Sequence, residues 1–318
     1  MMYMNVERKL RMEYRRYQGL WPVMLTPFTC DGSIDYASLE RLIAWYEEHG
    51  AAGLFAACQS SEIFCLSLEE RKSLVTFIKQ HARVPVIASG HVSESLQDQI
   101  HELTEMRKAG ADALILITNR LCNSVRMDES IIPVLEKMMV QLPADVPLGF
   151  YECPYPSKRL LTLDELKWCA ESGRFAFMKD TCCDIGMIRQ RLRALEGSTL
   201  ELFNANTSTL LNSLIAGCAG FSGVMMNFHM DLYDWLWKNW KAQPEKARQV
   251  QDFLTVFSQI ERQYYPVNAK YHLCEIEGVL DTPAARVKPA EGLTAVFRDE
   301  VHQLHRCARA VRDQFCHE

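Results

Sequence analysis

Eight apolar runs recur along the chain with more polar, helix-patterned segments between them: Leu20–Leu25, Gly53–Cys58, Pro85–Ser89, Ala113–Thr118, Pro147–Tyr151, Phe175–Lys179, Leu200–Asn204 and Phe221–Met225. Most are continuous rather than alternating, the pattern of parallel strands covered on both faces. The intervening segments predict helices. Asp35–His49 carries Leu39, Leu42, Ile43 and Tyr46 on one face. Ser67-Leu68-Glu69-Glu70 reads as a helix start with acids in its first turn. Ser93–Ala109 stops at Gly110, and Thr162–Ser172 opens on a threonine cap and closes before Gly173. Eight β–α units in series predict an α/β fold, a (β/α)8 TIM barrel rather than an open doubly wound sheet. No G-x-G-x-x-G follows the first run, which argues against a dinucleotide site.

Beyond about residue 242 the strand pattern stops. Helices are expected from Gln243-Pro244-Glu245 to about Tyr264, over Val267–Ile276 and over Gly292–Cys316. The expected organisation is an N-terminal extension (1–18), a barrel with the active site (19–242) and a small helical C-terminal domain (243–318). The extension is basic, with Arg8, Lys9, Arg11, Arg15 and Arg16 against Glu7 and Glu13. Those acids and its lack of serine fit a solvated helix or ragged extension better than a transit peptide.

Composition narrows the classes. At 318 residues, 48% hydrophobic and 24% charged, the chain suits a globular protein with one large barrel and a small addition. A net charge of −5 gives no support for nucleic-acid or anionic-membrane partners. No apolar run approaches a membrane span. The twelve cysteines are scattered without a C-x-x-C pair and no apolar signal sequence is present. We expect reduced thiols in a cytoplasmic protein. No Cys/His cluster has ligand spacing, so no metal site is expected.

Candidate chemistry lies at two strand ends. Tyr151-Glu152-Cys153-Pro154 closes the fifth run and Phe177-Met178-Lys179-Asp180-Thr181 the sixth. One βαβ repeat separates Tyr151 from Lys179, which places a phenol and an amine at the same ends of adjacent parallel strands. Barrel chemistry sits at those C-terminal ends. Burial lowers a lysine pKa and makes the amine a nucleophile for carbonyls; a neighbouring phenol can move the protons that imine formation requires. A lone lysine snorkelling at a strand end would look the same. The pairing with Tyr151 favours chemistry.

In order and spacing, these segments resemble the dihydrodipicolinate synthase and N-acetylneuraminate lyase family of class I pyruvate-dependent aldolases. The resemblance runs from Gly19 onward through Leu25-Thr26-Pro27-Phe28, Asp31-Gly32-x-Ile34-Asp35, Ser61-Glu62 and Leu66-Ser67-x-Glu69-Glu70-Arg71. It continues through Pro85-Val86-Ile87-Ala88, Ala109-Gly110-Ala111-Asp112-Ala113, Tyr151-x-x-Pro154, Met178-Lys179-Asp180-Thr181, and Gly217-Cys218-Ala219-Gly220-Phe221-Ser222-Gly223 with Asn227. It implies that Lys179 forms the Schiff base with pyruvate or another 2-oxo acid and that Tyr151 shuttles protons. Gln59 and Ser60 would hold the carboxylate. No metal or organic cofactor is implied beyond the covalent lysine imine, and a homotetramer built as a dimer of dimers is expected.

The chain also departs from the family. Cys58-Gln59-Ser60-Ser61-Glu62 replaces a turn of Gly, two hydroxyl residues, Gly and Glu, so an amide stands where a hydroxyl relays protons. The loop Thr118-Asn119-Arg120-Leu121-Cys122-Asn123 lacks the tyrosine that completes the relay across a subunit contact. Pro156 stands where synthases carry an arginine, with Lys158 and Arg159 shortly after as candidate anion contacts or solvated loop charges. Ser222 replaces an aliphatic residue lining the oxo-acid pocket. Glu152 is a candidate second acid–base group, or else a structural or rim residue. His229 and Asp231 are candidates for the pocket mouth, Asp231 also for a helix start. Trp235, Trp237 and Trp240 read as helix packing. Three readings follow: a Schiff-base lyase or aldolase, a dihydrodipicolinate synthase proper, and a 2-oxo-acid-binding protein that has lost turnover.

Overall fold

A computed structural model describes residues 17–122 and 128–315. The N-terminal extension up to residue 16, Asn123 and Cys316 fall outside the described residues. The strands are β1 (Gly19–Leu20), β2 (Leu54–Ala56), β3 (Val86–Ala88), β4 (Ala113–Ile117), β5 (Leu148–Tyr151), β6 (Phe175–Asp180), β7 (Glu201–Asn204) and β8 (Gly220–Phe221). All pair in parallel in the order β1-β8-β7-β6-β5-β4-β3-β2. Bridges from Leu20 to Ala51 and from Val23 to Phe55 join β1 to β2, which makes the sheet a barrel with no free edge. β1 and β8 are shorter than their apolar runs: Val23 holds on by a single bridge, and Met225 already leads into a helix. Gly220 lies against Gly19, where an added Cβ would meet the Gly19 carbonyl oxygen at 1.9 Å. Only glycine lets those strands approach.

The helices that follow the strands are α1 (Tyr36–Glu48), α2 (Leu68–His81), α3 (Leu96–Lys108), α4 (Ile132–Gln141), α5 (Leu163–Ser172), α6 (Ile185–Ala194), α7 (Leu210–Ala216) and α8 (Met226–Asn239). Their starts follow the sequence signals. Ser67 and Glu70 form a reciprocal capping box, with Ser67 Oγ accepting from Glu70 N at 3.2 Å and Glu70 Oε2 from Ser67 N at 2.9 Å. Thr162 and Glu165 do the same for α5, which ends at Gly173 in the left-handed region. α3 begins later than expected. Ser95 is its cap, and Ser93 is drawn aside by the Glu102 carboxylate, which accepts from its backbone N and its hydroxyl.

After the barrel come α9 (Pro244–Phe257), a short 3-10 turn (Ser258–Arg262), α10 (Val267–Glu275) and α11 (Ala295–Phe315). The first helix stops earlier than the pattern suggested. The chain from the 3-10 turn to α10 runs over the C-terminal ends of the barrel strands instead. Trp235, Trp237 and Trp240 pack against the core, as expected.

Candidate functional site

Alternation along the strands decides what enters the barrel. Phe177 and Lys179 are two apart on β6, and Gly149 and Tyr151 two apart on β5, so each pair shares one face. Phe177 stacks on Phe203 at 4.1 Å between ring centroids and meets Trp21 edge-on at 5.5 Å and Phe55 at 6.3 Å. This aromatic plug is the floor of the site. Above it Lys179 pairs with Tyr151 across the strands, as their spacing predicted. Its Nζ lies 4.5 Å from the Tyr151 ring centroid and 5.8 Å from that of Phe55. With 3% of its surface exposed, the amine finds little water. Burial pulls its pKa from 10.5 down to about 8, against a smaller opposing pull from Cys58, Cys153 and Glu261. The Tyr151 hydroxyl donates to Gln59 Oε1 at 3.1 Å, and burial raises its pKa well above the ordinary value.

The turn after β2 is a 3-10 turn, Gln59–Ser61, followed by Glu62 at φ 59°. Ser61 braces it by donating to Met24 O at 2.7 Å. The Glu62 carboxylate receives Lys270 Nζ at 2.5 Å and the backbone N of Arg286 and Val287 at 2.7 and 2.8 Å. A buried ion pair and two backbone bonds therefore pin the segment after the barrel onto the site loop. That segment delivers two residues the sequence reading missed. The Tyr265 hydroxyl reaches Ser60 Oγ at 2.8 Å, and Glu261 enters the cavity walls. Burial raises the Glu261 pKa.

Two neighbouring cavities share Tyr151, Pro154, Val224 and Glu261. The larger, about 660 Å³, adds Gln59, Ser60, Tyr265 and the cations Arg262 and Lys288. The smaller, about 180 Å³, holds Lys179 together with Lys158, Thr181 and Asn206. Amine, phenol, amide and hydroxyl thus converge at the C-terminal ends of β2, β5 and β6.

A buried clamp fixes the two central strand ends. Arg191 reaches Glu152 Oε1 at 2.7 Å and Oε2 at 3.0 Å, Asp180 Oδ2 at 2.5 Å and Leu161 O at 3.1 Å. Glu152 also accepts from the backbone N of Leu161 and Thr181 at 2.8 and 3.1 Å. Its carboxylate is consumed by this clamp, so it is not the second acid–base group; it locks the residues next to Tyr151 and Lys179.

Other candidates move elsewhere. Ser222 is fully buried and donates to Trp21 O at 2.8 Å, bracing β8 on the strand-one segment outside the walls of both cavities. Arg159 is buried against Glu165, with Nη2–Oε1 at 2.5 Å and Nη1–Oε2 at 2.9 Å, and offers nothing to an anion. Lys158 does line the lysine cavity, its Nζ donating to Thr181 O at 2.7 Å. Pro156 lines a separate cavity with Asn119 and Arg120. His229 breaks α8 at φ −145°, ψ 60° and packs inward against Tyr233 and Phe253, with burial pulling its pKa down to about 3. Asp231 follows that break and pairs with Arg312 of α11. Neither reaches the pocket mouth.

Among the described residues, one group has the types and proximity for a metal ion: His272, Glu277 and His305, with ligand atoms within 4.8 Å of one another. His272 of α10 and Glu277 just beyond that helix are close in sequence, but His305 is brought to them only by the packing of α11, so ligand spacing in the sequence gave no sign of the group. They share no residue with either cavity.

A family model described as dihydrodipicolinate synthetase family matches residues 16–308. The chain is 27% identical over 219 residues to a 4-hydroxy-tetrahydrodipicolinate synthase of Bradyrhizobium diazoefficiens, covering 67% of this chain and 70% of that one. It is 24% identical over 247 residues to the synthase of Gluconacetobacter diazotrophicus, covering 77% and 82%. Among solved structures, a prophage protein of the dihydrodipicolinic acid synthase family from E. coli, in complex with pyruvate, superposes with a TM-score of 0.81 at 22% identity over 92% of this chain and 99% of that one. CdNal from Clostridium difficile, in complex with mannosamine, gives 0.80 at 18% identity over 92% and 99%. At these identities the structural likenesses establish the shared fold.

Proposed function

The chain belongs to the dihydrodipicolinate synthetase family, and from that premise we propose that it is a Schiff-base lyase or aldolase acting on pyruvate or a related 2-oxo acid. The observation that carries the reading is Lys179, a buried amine with its pKa drawn to about 8, registered against Tyr151. The neutral amine adds to the C2 carbonyl. The carbinolamine takes a proton on its hydroxyl and loses water, leaving a protonated imine. That cation draws electrons from C3, so a C3 proton leaves and an enamine forms. The enamine carbon attacks an aldehyde carbonyl, or the same steps run backwards as a cleavage; hydrolysis frees the lysine.

In this reading Tyr151 moves protons at the imine, supported by its register against Lys179 and by the bond that holds its hydroxyl to Gln59 Oε1. The amide accepts that bond but passes no proton on, so Tyr151 exchanges protons with the cavity. Ser60 and the backbone N–H groups of its turn offer donors to the carboxylate. Glu261 is the carboxyl available to the oxygen of the second substrate, with burial raising its pKa above the ordinary carboxylate value. Related proteins were solved with pyruvate, which supports a small 2-oxo acid as the first substrate. Homotetramer formation and a cytoplasmic location belong to the same proposal; a monomer by light scattering at micromolar concentration would contradict the former. Among the described residues no helix is long and apolar enough to cross a membrane.

A panel of 2-oxo acids and aldehydes, followed by C3 proton exchange in heavy water, tests the enzyme reading. Exchange plus consumption of a second substrate supports it. Imine formation without exchange shifts the reading to a binding protein that has lost turnover. The named relatives favour a second reading, a dihydrodipicolinate synthase proper. Against it, Pro156 carries no charge and lies in another cavity's wall. A coupled assay with pyruvate and aspartate semialdehyde decides: turnover above about 1 s⁻¹, an ordinary enzyme rate, would establish the synthase and give Lys158 the anion contact.

A further inference from the structure

We infer that Tyr265, itself oriented by Asn227 and Tyr46, is a positioning residue that aims the Ser60 hydroxyl at the carboxylate of the bound 2-oxo acid; the inference rests on the Schiff-base reading above. The direction of each hydrogen bond follows from one end of the array. Asn227 Nδ2 lies 3.1 Å from both Val23 O and Val224 O. Carbonyls only accept, so the nitrogen and not the oxygen of the amide faces them. Asn227 Oδ1 is thereby turned to the Tyr46 hydroxyl, which donates to it at 2.5 Å. The Tyr46 oxygen in turn accepts from Leu25 N at 3.4 Å.

Asn227 Nδ2 also lies 3.1 Å from Tyr265 Oη, its two hydrogens shared among three acceptors, and the amide nitrogen itself accepts nothing. That oxygen is therefore an acceptor toward Asn227, and its hydrogen goes to Ser60 Oγ at 2.8 Å. Ser60 Oγ accepts, and among the described residues its own O–H meets no acceptor while it lines the larger cavity. A hydroxyl with one lone pair engaged and its hydrogen free is steered as a donor, which a carboxylate bonds most strongly. Asn227 and Tyr46 are fully buried and Ser60 is 6% exposed, while Tyr265 is half-buried at the cavity wall; the buried end of the array is fixed away from water, and each bond polarises the next. Burial also raises the pKa of Tyr46 and Tyr265, which keeps both as donors through the physiological range. All four side chains come from one chain. The tyrosine missing from the loop after β4 is thus replaced, on the carboxylate side, by one from the segment after the barrel, and no second subunit is needed to complete this donor.

The test compares wild type with Tyr265→Phe, Ser60→Ala and the double variant on pyruvate and on uncharged pyruvamide, scored by borohydride trapping and by half-saturation of C3 exchange. Tyr265→Phe is expected to raise half-saturation for pyruvate about 10-fold or more, the scale of a lost hydrogen bond to a charged group, with the loss in KM rather than in maximal rate. The loss vanishes with pyruvamide. The double variant is no worse than Ser60→Ala, because Tyr265 acts through Ser60. A Tyr265→Phe protein equal to wild type, an equal loss on pyruvamide, or additive losses would overturn the inference while leaving the Schiff-base reading intact. Failure of wild type to trap any 2-oxo acid would overturn both. Should Tyr265→Phe not fold, Asn227→Asp, which removes the donor to Tyr265, is expected to give the same pyruvate-specific loss, and its absence overturns the inference.

Discussion

Raising the pH from 6 to 10 should titrate Lys179 within the folded protein and make imine formation follow its free amine. With a pKa of about 8, about a tenth of the molecules carry the nucleophile at pH 7. An ordinary lysine at 10.5 would offer about three in ten thousand, so burial increases the reactive fraction by roughly 300-fold. The sign follows from desolvation: a low-dielectric site penalises the cation, the proton leaves more easily, and reactivity rises with pH until the amine is fully neutral. The initial rate of imine formation with pyruvate, stopped at intervals by borohydride, should climb about tenfold per unit at low pH and level off above about 8. Glu261→Gln should move the inflection lower, because the Glu261 carboxylate is one of the groups that favour the cation. A rate that keeps climbing past pH 10, or a Glu261→Gln inflection that moves up, would refute the desolvation reasoning.

Three further outcomes follow from the geometry. Tyr151→Phe should keep the fold and slow imine formation or turnover by about 10²-fold or more, the scale of a lost acid–base group; an unchanged rate measured by trapping would move the proton role to another group, Glu261 first. Arg191→Leu should destabilise the protein by about 3–5 kcal/mol in urea unfolding, because Glu152 and Asp180 would remain as buried charges without their partner; a loss below 1 kcal/mol would mean that the clamp is not needed. Lys158→Gln should raise KM for an anionic second substrate without changing pyruvate trapping, since Lys158 sits in the lysine cavity and Arg159 is tied to Glu165; equal KM values would remove Lys158 from substrate binding.

The strand ends were legible because a covered parallel strand leaves a continuous apolar run, and a lysine at the end of such a run stands out. The 3.6-residue pattern and the Ser67 and Thr162 caps located most helices for the same reason: local chemistry decides them. Tyr265 was hidden. It follows a helix in a segment with no strand pattern, and its place over Ser60 depends on the buried Glu62–Lys270 pair between residues 208 apart in sequence. Glu152 looked like chemistry because a strand-end carboxylate can serve either role, and only the position of Arg191 assigns it to the clamp. Ser222 looked like a pocket hydroxyl, yet β8 is only two residues long and its hydroxyl is spent on Trp21 O. Residues whose role depends on a distant partner carry no local signal.

Reductive trapping tests the assignment of Lys179 most directly. The protein is incubated with pyruvate and borohydride, digested, and the modified peptide located by mass spectrometry. A single adduct on Lys179, absent from a folded Lys179→Ala variant, is the predicted result. An adduct on any other lysine, or no adduct with pyruvate or any other small 2-oxo acid, would contradict it.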